Sequence, residues 1–160
     1  MNKIALEFIK SHEGYRAQSY TDTRSIETIG YGRNLQAHPL SEEEQRDILL
    51  NNNKYSKKQA EAWLIAHLEI LEKELSTYTW FNKLDGIRQG IILDMAYNLG
   101  IPRLLLFKKM ILALNSGDYI GASKEMLNSG WAIQTKDRAV NLSIAMSNTE
   151  KLAKKFEAYA

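Results

Sequence analysis

Glu13-Gly-Tyr-Arg-Ala-Gln-Ser-Tyr20-Thr-Asp22-Thr-Arg-Ser-Ile-Glu-Thr28-Ile-Gly-Tyr-Gly32 is the stretch of this 160-residue chain that reads as sheet. From Tyr15 to Leu35 β-branched and aromatic residues dominate, with Tyr20, Thr21, Thr23, Ile26, Thr28, Ile29 and Tyr31 set among Gly30 and Gly32. Such residues suit a pleated, half-buried surface better than a helix, so short strands are expected. Thr23-Arg-Ser-Ile26 is a plausible turn between two of them.

Outside this stretch the pattern is helical. Ile4, Phe8 and Ser11 share one side of a predicted helix, Ala5 and Ile9 lie beside it, and Gly14 follows to end it. Downstream, Ser41-Glu-Glu-Glu44 and Ser56-Lys-Lys-Gln59 are capping boxes. The second opens a helix running to about Tyr78, with Leu64, Leu68, Leu71 and Leu75 along one side and a reach of roughly 30 Å. Further helices are expected over Asp85 to Asn98, about Arg103 to Asn115, and from Asp118 to Asn128, with Thr135 and Thr149 capping two more. The fold class is α+β and mostly helical. We expect a small β-rich lobe over 13–55, a connecting helix over 56–78 and a helical lobe over 79–160, which residues 1–12 can join.

Bulk composition sets limits. At 44% apolar and 25% charged residues the chain is globular in type. A net charge of +2, from 21 basic and 19 acidic residues, is too small to argue for nucleic acid. Lys57-Lys58, Lys108-Lys109 and Lys154-Lys155 are scattered and read as solvated faces. With no cysteine, disulfides, thiolate metal sites and a cysteine nucleophile are excluded. Glu7 and Lys10 interrupt the first apolar run before it could act as a signal-peptide core, and no run approaches the ~18 apolar residues of a membrane span. The expectation is accumulation in the cytoplasm without stable membrane insertion. His12, His38 and His67 lack metal-ligand spacing, and Gly30-Tyr-Gly32 lacks the rest of a nucleotide fingerprint, so neither a metal nor a bound nucleotide is expected.

Two acids stand out against this background. Cleaving a glycosidic bond takes a carboxylic acid that protonates the departing oxygen and a second group that delivers or activates a nucleophile. Glu13 falls just after the first helix, Asp22 in the first strand region and Thr28 on the next strand. A hairpin would bring Asp22 and Thr28 across from each other, with the helix end setting Glu13 over them and a cleft beside the sheet. Singly, a Glu at a helix end is usually solvated and an Asp before a turn usually forms the turn; the combination carries the reading.

That combination resembles the N-terminal signature of the phage-type lysozymes of the bacteriophage T4 kind, glycoside hydrolase family 24. Glu13, Asp22 and Thr28 fit the order and spacing of the family's catalytic set, and Thr28-Ile-Gly-Tyr-Gly32 makes the match specific. Met95-Ala-Tyr-Asn-Leu-Gly100 looks like the helix end that floors the family's cleft, and Trp131-Ala-Ile-Gln-Thr135 with Arg138-Ala139 looks like its C-terminal Trp and Arg motif. The likeness covers nearly the whole chain.

The resemblance implies the two-lobed lysozyme fold, no cofactor, and hydrolysis of peptidoglycan between N-acetylmuramic acid and N-acetylglucosamine. It implies Glu13 as general acid, Asp22 and Thr28 holding water in an inverting displacement, and Arg138 near Glu13, with Gly32 as a further supporting residue. Tyr97 and Asn98 are the candidates for glycan binding, against a core role for Tyr97 and a capping role for Asn98. Trp63, Trp80 and Trp131 at helical positions read as core. A monomer acting on the wall of a host cell is expected, released with a separate membrane-permeabilising protein (a holin). Four departures mark the chain: Ser25 stands where the family usually has Gly, Arg33 where the namesake has His in a structural ion pair, Asn98 where the namesake has Gln, and the segment Asn51 to Tyr55 looks longer than in the namesake. Rival readings are a lytic transglycosylase, a non-catalytic wall-binding module on the same scaffold, and a basic helical nucleic-acid binder.

Overall fold

The computed structural model describes residues 1–157. It is α+β and mostly helical. In chain order come α1 (Lys3–Glu13), β1 (Arg16–Thr21), β2 (Glu27–Gly30), β3 (Arg33–Asn34), α2 (Glu42–Leu50), α3 (Lys57–Leu75), α4 (Thr79–Asn82), α5 (Gly86–Leu99), α6 (Ile101–Leu104), α7 (Lys108–Asn115), α8 (Tyr119–Leu127), α9 (Gly130–Thr135), α10 (Asp137–Ser147) and α11 (Glu150–Lys155). The chain divides into two compact units, one of Ile9–His67 and the other of Met1–Phe8 with the chain from Leu68 on. The divisions fall within α1 and α3.

The Ile9–His67 unit holds the sheet, an antiparallel meander in the order β1-β2-β3. Its pairing is irregular on one side. Arg16 lies opposite Gly30 and Tyr20 opposite Thr28, so four steps along β1 match two along β2. The extra residues form a bulge, which bends the strand and redirects its side chains. Tyr55 stitches this bulge in place: its N–H donates to Ala17 O at 2.8 Å, and its carbonyl accepts the Tyr15 hydroxyl. Between β1 and β2 the chain turns through Asp22–Ile26, closed by Asp22 N to Ile26 O at 2.9 Å. Ser25 sits there at φ 62°, so a residue with a Cβ takes the left-handed conformation that glycine holds at no steric cost.

A buried polar cluster fixes the far side of this unit. Arg33 is only 3% exposed. Its Nη1 donates to Glu44 Oε2 (2.5 Å) and to the Tyr55 hydroxyl (3.1 Å), and its Nη2 to Glu44 Oε1 (3.0 Å) and Pro39 O (2.8 Å). Nε donates to His38 O at 3.0 Å, and the guanidinium lies over the Trp63 ring at 4.6 Å. The ion pair that the sequence departure put in question is thus rebuilt between Arg33 and Glu44. Glu44 also closes the capping box of α2, accepting from Ser41 N while Ser41 Oγ accepts from Glu44 N. Burial works to raise the Glu44 carboxyl, but the Arg33 and Ser41 bonds, the Arg33 charge and the Tyr55 hydroxyl hold it below the usual carboxylate value. Burial also pushes the Tyr55 phenol up to about 12.

The other unit is built on α5, whose Ile91, Ile92, Leu93 and Met95 are fully buried. Leu104, Met110, Met126, Leu142 and Met146 complete that core. Asp85 caps α5, accepting from Arg88 N, and Asp118 caps α8, accepting from Gly121 N. Several sequence expectations need correction here. The helix expected over Arg103 to Asn115 is broken at Leu105–Phe107 into α6 and α7. Pro102 stands in the first turn of α6, where a residue needs no N–H partner. Thr135 caps nothing; its hydroxyl donates back to Trp131 O at 2.9 Å from the last turn of α9. The N-cap of α10 is Lys136, at φ 51° and ψ −103°, with no side-chain cap. Thr149 makes no side-chain cap for α11 either; Asn148 Oδ1 accepts the N–H of Glu150. The short α4 and the Ser129-capped α9 carry too few periodic residues to be read from sequence.

Candidate active site

Glu13 is the last residue of α1, and Gly14 N–H closes the helix on Lys10 O at 3.0 Å. The Glu13 carboxyl lies against the main chain of Gly32. A Cβ at that glycine would stand 2.5 Å from Glu13 Cδ and overlap Oε2, and its φ of 73° belongs to glycine. Gly32 therefore gives the acid both its room and its floor, and ties the end of α1 to the corner between β2 and β3.

Across the hairpin, Tyr20 and Thr28 are register partners and so share a face of the sheet. Asp22, two residues beyond Tyr20, continues that face past the end of the strand. Asp22 Oδ1 accepts the N–H groups of Arg24 and Ile26, each at 2.9 Å, which shapes the turn and fixes the carboxylate. Its Oδ2 takes no hydrogen bond from the described residues. Thr28 is 5% exposed, and its hydroxyl donates to Ile26 O at 3.1 Å. With its proton committed, Thr28 Oγ1 offers only lone pairs to a further partner.

Tyr20 connects these groups. Burial raises its phenol, the Glu13 charge adds to that, the Arg16 charge opposes it, and Asp22 raises it again. Its hydroxyl lies within the field of both candidate acids. The Arg16 guanidinium sits 4.5 Å from the centre of its ring. The structure thus brings Glu13, Asp22, Thr28 and Gly32 together in one unit, and adds Tyr20, which sequence reasoning quoted only as part of a motif.

The remaining candidates lie in the other unit. The Trp131 indole N–H donates to Asn98 Oδ1 at 2.8 Å. This fixes the orientation of the amide and turns its Nδ2 donor away from the tryptophan. Asn98 precedes the last residue of α5 and does not cap it; the cap is Gly100. Tyr97 and Asn98 are both half-buried, while Trp131 is buried and edge-on to Phe107. Leu99, Arg103, Phe107, Lys108, Lys109 and Trp131 are among the residues lining a cavity of about 500 Å³ beside this bond. Arg138, 9% exposed, donates from Nε (2.7 Å) to Oδ1 of the fully buried Asp94 and forms an ion pair with it through Nη2 (2.6 Å). Asp94 was missed in the sequence. Its signal was there: a single acid in the apolar run Ile91-Ile-Leu-Asp94-Met-Ala96 must be paired once buried. Elsewhere, Trp80 is core, and Trp63 stacks on His67 with His38 edge-on at 4.7 Å from His67. Among the described residues no three His, Asp or Glu side chains gather where they could hold a metal ion.

The family model described as Phage lysozyme matches residues 10–143, a span that contains Glu13, Asp22, Thr28, Asn98 and Arg138. The chain belongs to the phage lysozyme family. As a phage lysozyme it is a glycoside hydrolase whose substrate class is peptidoglycan. It is 26% identical over 148 residues to probable T4-type lysozyme 1 of Dictyostelium discoideum, covering 83% of this chain and 87% of that protein. Probable T4-type lysozyme 2 of that organism is 25% identical over 148 residues, again 83% of this chain and 87% of that protein. The pre-baseplate central spike protein Gp5 of Enterobacteria phage T4 is 26% identical over 166 residues, which take in 93% of this chain but 29% of the spike protein. The span matched in this phage lysozyme thus takes in most of the two Dictyostelium proteins and one segment of the spike protein.

Proposed function

We propose that this lysozyme cleaves the β-1,4 bond between N-acetylmuramic acid and N-acetylglucosamine by a single inverting displacement, with Glu13 as general acid and Asp22 and Thr28 holding the water. The observation that carries the assignment is the division of labour around the hairpin: Glu13 packed on Gly32, and Asp22 Oδ2 and Thr28 Oγ1 both presenting lone pairs on one face of the sheet. A water between those two acceptors gives a hydrogen to each and keeps its own lone pairs for the anomeric carbon. Asp22 takes the proton as the C–O bond forms, and Glu13 delivers one to the leaving oxygen. Tyr97 and Asn98 bind the glycan, Asn98 through the Nδ2 donor that Trp131 orients.

The proposal extends to physiology: a monomer accumulating in the host cytoplasm, released onto the wall through a separate permeabilising protein. Clearing of permeabilised Gram-negative cells tests it, parent beside Glu13→Gln. The expected loss of rate is about 10²–10⁴-fold, the usual contribution of a positioned acid. Equal clearing by the two proteins would leave a wall-binding module as the better account. Mass spectrometry of the digest separates water attack from the transglycosylase route, because an anhydro-muramic end requires no water. Expression without a permeabilising partner should leave cells intact until chloroform is added. A second physiological reading is favoured by the likeness to the spike protein: the same chemistry carried on a phage particle. Finding the chain in purified particles would favour that reading over a free endolysin.

A further inference from the structure

The lone pairs around the proposed water leave one position unfilled, and Tyr20 stands beside it. Asp22, as a carboxylate, only accepts. Thr28 has given its proton to Ile26 O and can only accept as well. A water between them uses both hydrogens, and its two lone pairs remain equivalent. Attack on a sugar needs one of them aimed, so the fourth neighbour must be a donor. On the same face, opposite Thr28 and two residues before Asp22, is Tyr20, whose hydroxyl feels the charges of both Glu13 and Asp22.

Three features hold it there. The β1 bulge between Arg16 and Tyr20 redirects the side chain, and the Tyr55 N–H keeps that bulge by occupying Ala17 O. The Arg16 guanidinium covers a face of the ring, which leaves the hydroxyl to act as a hydrogen-bonding group instead of the ring as a stacking platform. Burial and the flanking acids keep the phenol protonated, as a donor must be.

We propose that Tyr20, clamped by Arg16, is the water-orienting donor of this lysozyme: its O–H binds one lone pair of the nucleophilic water and so directs the other at the anomeric carbon. The proposal rests on the reading of Glu13, Asp22 and Thr28 given above. No bond to Tyr20 forms or breaks, and the proton lost by the water still goes to Asp22.

The test is steady-state hydrolysis of purified peptidoglycan by the whole protein, with thermal midpoints and the anomeric form of the first product followed by NMR. Tyr20→Phe keeps the ring and the Arg16 contact and loses only the donor. We expect kcat to fall about five- to tenfold, the worth of one oriented hydrogen bond, with KM, thermal midpoint and product anomer unchanged. Arg16→Met should lower kcat about two- to threefold through a less firmly held ring, and Arg16→Lys, which keeps a cation over the ring, should restore most of it. An undiminished kcat in Tyr20→Phe overturns the proposal, as does a loss confined to KM. If Tyr20→Phe fails to fold, the Arg16 pair decides, and equal kcat in Arg16→Met and the parent overturns it. The underlying reading fails separately: Glu13→Gln would then remain active, or the first product would appear with retained configuration, whatever Tyr20 does.

Discussion

Glu44 and Asp22 are two acids of the same compact unit, and their surroundings could hardly differ more. Glu44 accepts from Ser41 N and Arg33 Nη2 on one oxygen and from Arg33 Nη1 and the Tyr55 hydroxyl on the other. Every lone-pair direction is filled, and the partners come from three separate segments. Among the described residues Asp22 is anchored through one oxygen alone, by N–H groups of its own turn, and its second oxygen takes none. A filled carboxylate is a fastener, because any new partner must displace an old one. A half-filled carboxylate, held still by the filled half, can do chemistry. Thr28 repeats this arrangement with a hydroxyl: its hydrogen is committed and its lone pairs are open.

Substitutions at the two acids should therefore separate activity from stability. Asp22→Asn keeps a carbonyl oxygen for the Arg24 and Ile26 N–H groups, so the turn survives, but the proposed base is gone. The expected result is a loss of kcat of about 10²–10⁴-fold with little change in thermal midpoint; comparable losses in both would mean that Asp22 is chiefly a turn former. Glu44→Ala should do the reverse. It strands a buried guanidinium, at a cost of about 3–5 kcal/mol in urea unfolding, while the protein that remains folded turns over at the parent rate.

Acid should find the fastened region next. His67, stacked on Trp63, is lowered to about 4 by burial first, then by His38 and Arg33. An unfolded chain takes up that proton near 6.5 and the folded one only near 4, so stability falls as pH drops through this window. Linkage puts the loss at roughly 2–3 kcal/mol between pH 7 and pH 4. His67→Phe should flatten the pH dependence of urea unfolding across that range, and an unaltered slope would remove His67 from the account. The smallest effect belongs to the turn that carries Asp22. Ser25→Gly relieves a left-handed residue at the cost of extra freedom in the unfolded chain, for a net gain of roughly 0.5–1 kcal/mol. Its kcat should equal the parent's, since the Asp22 bonds to Arg24 and Ile26 are main-chain contacts.

Much of this was legible from residues whose partners lie nearby in the chain. Ser41, Ser56, Asp85 and Asp118 announce helix starts because the group each one satisfies is three residues away. The hairpin stood out by its β-branched and aromatic content, and Glu13, Asp22 and Thr28, singled out by their spacing, lie in one compact unit. What stayed hidden depends on distance along the chain. The pairing of Arg33 with Glu44, and of Arg138 with Asp94 forty-four residues away, leaves no periodic trace. The bulge that redirects Tyr20 is kept by Tyr55, from beyond α2. The cap at Lys136 was misassigned because Thr135, a good capping residue by type, turns its hydroxyl back on α9.

The bond between Trp131 and Asn98 has an optical consequence. An indole whose N–H is tied to an amide emits at a wavelength sensitive to the strength of that tie. Whatever engages the other end of the Asn98 amide will polarise it and alter the emission of Trp131. The enzyme thus carries its own fluorophore at a candidate sugar contact, and titration with short glycans can be followed by light alone, without a label and without turnover.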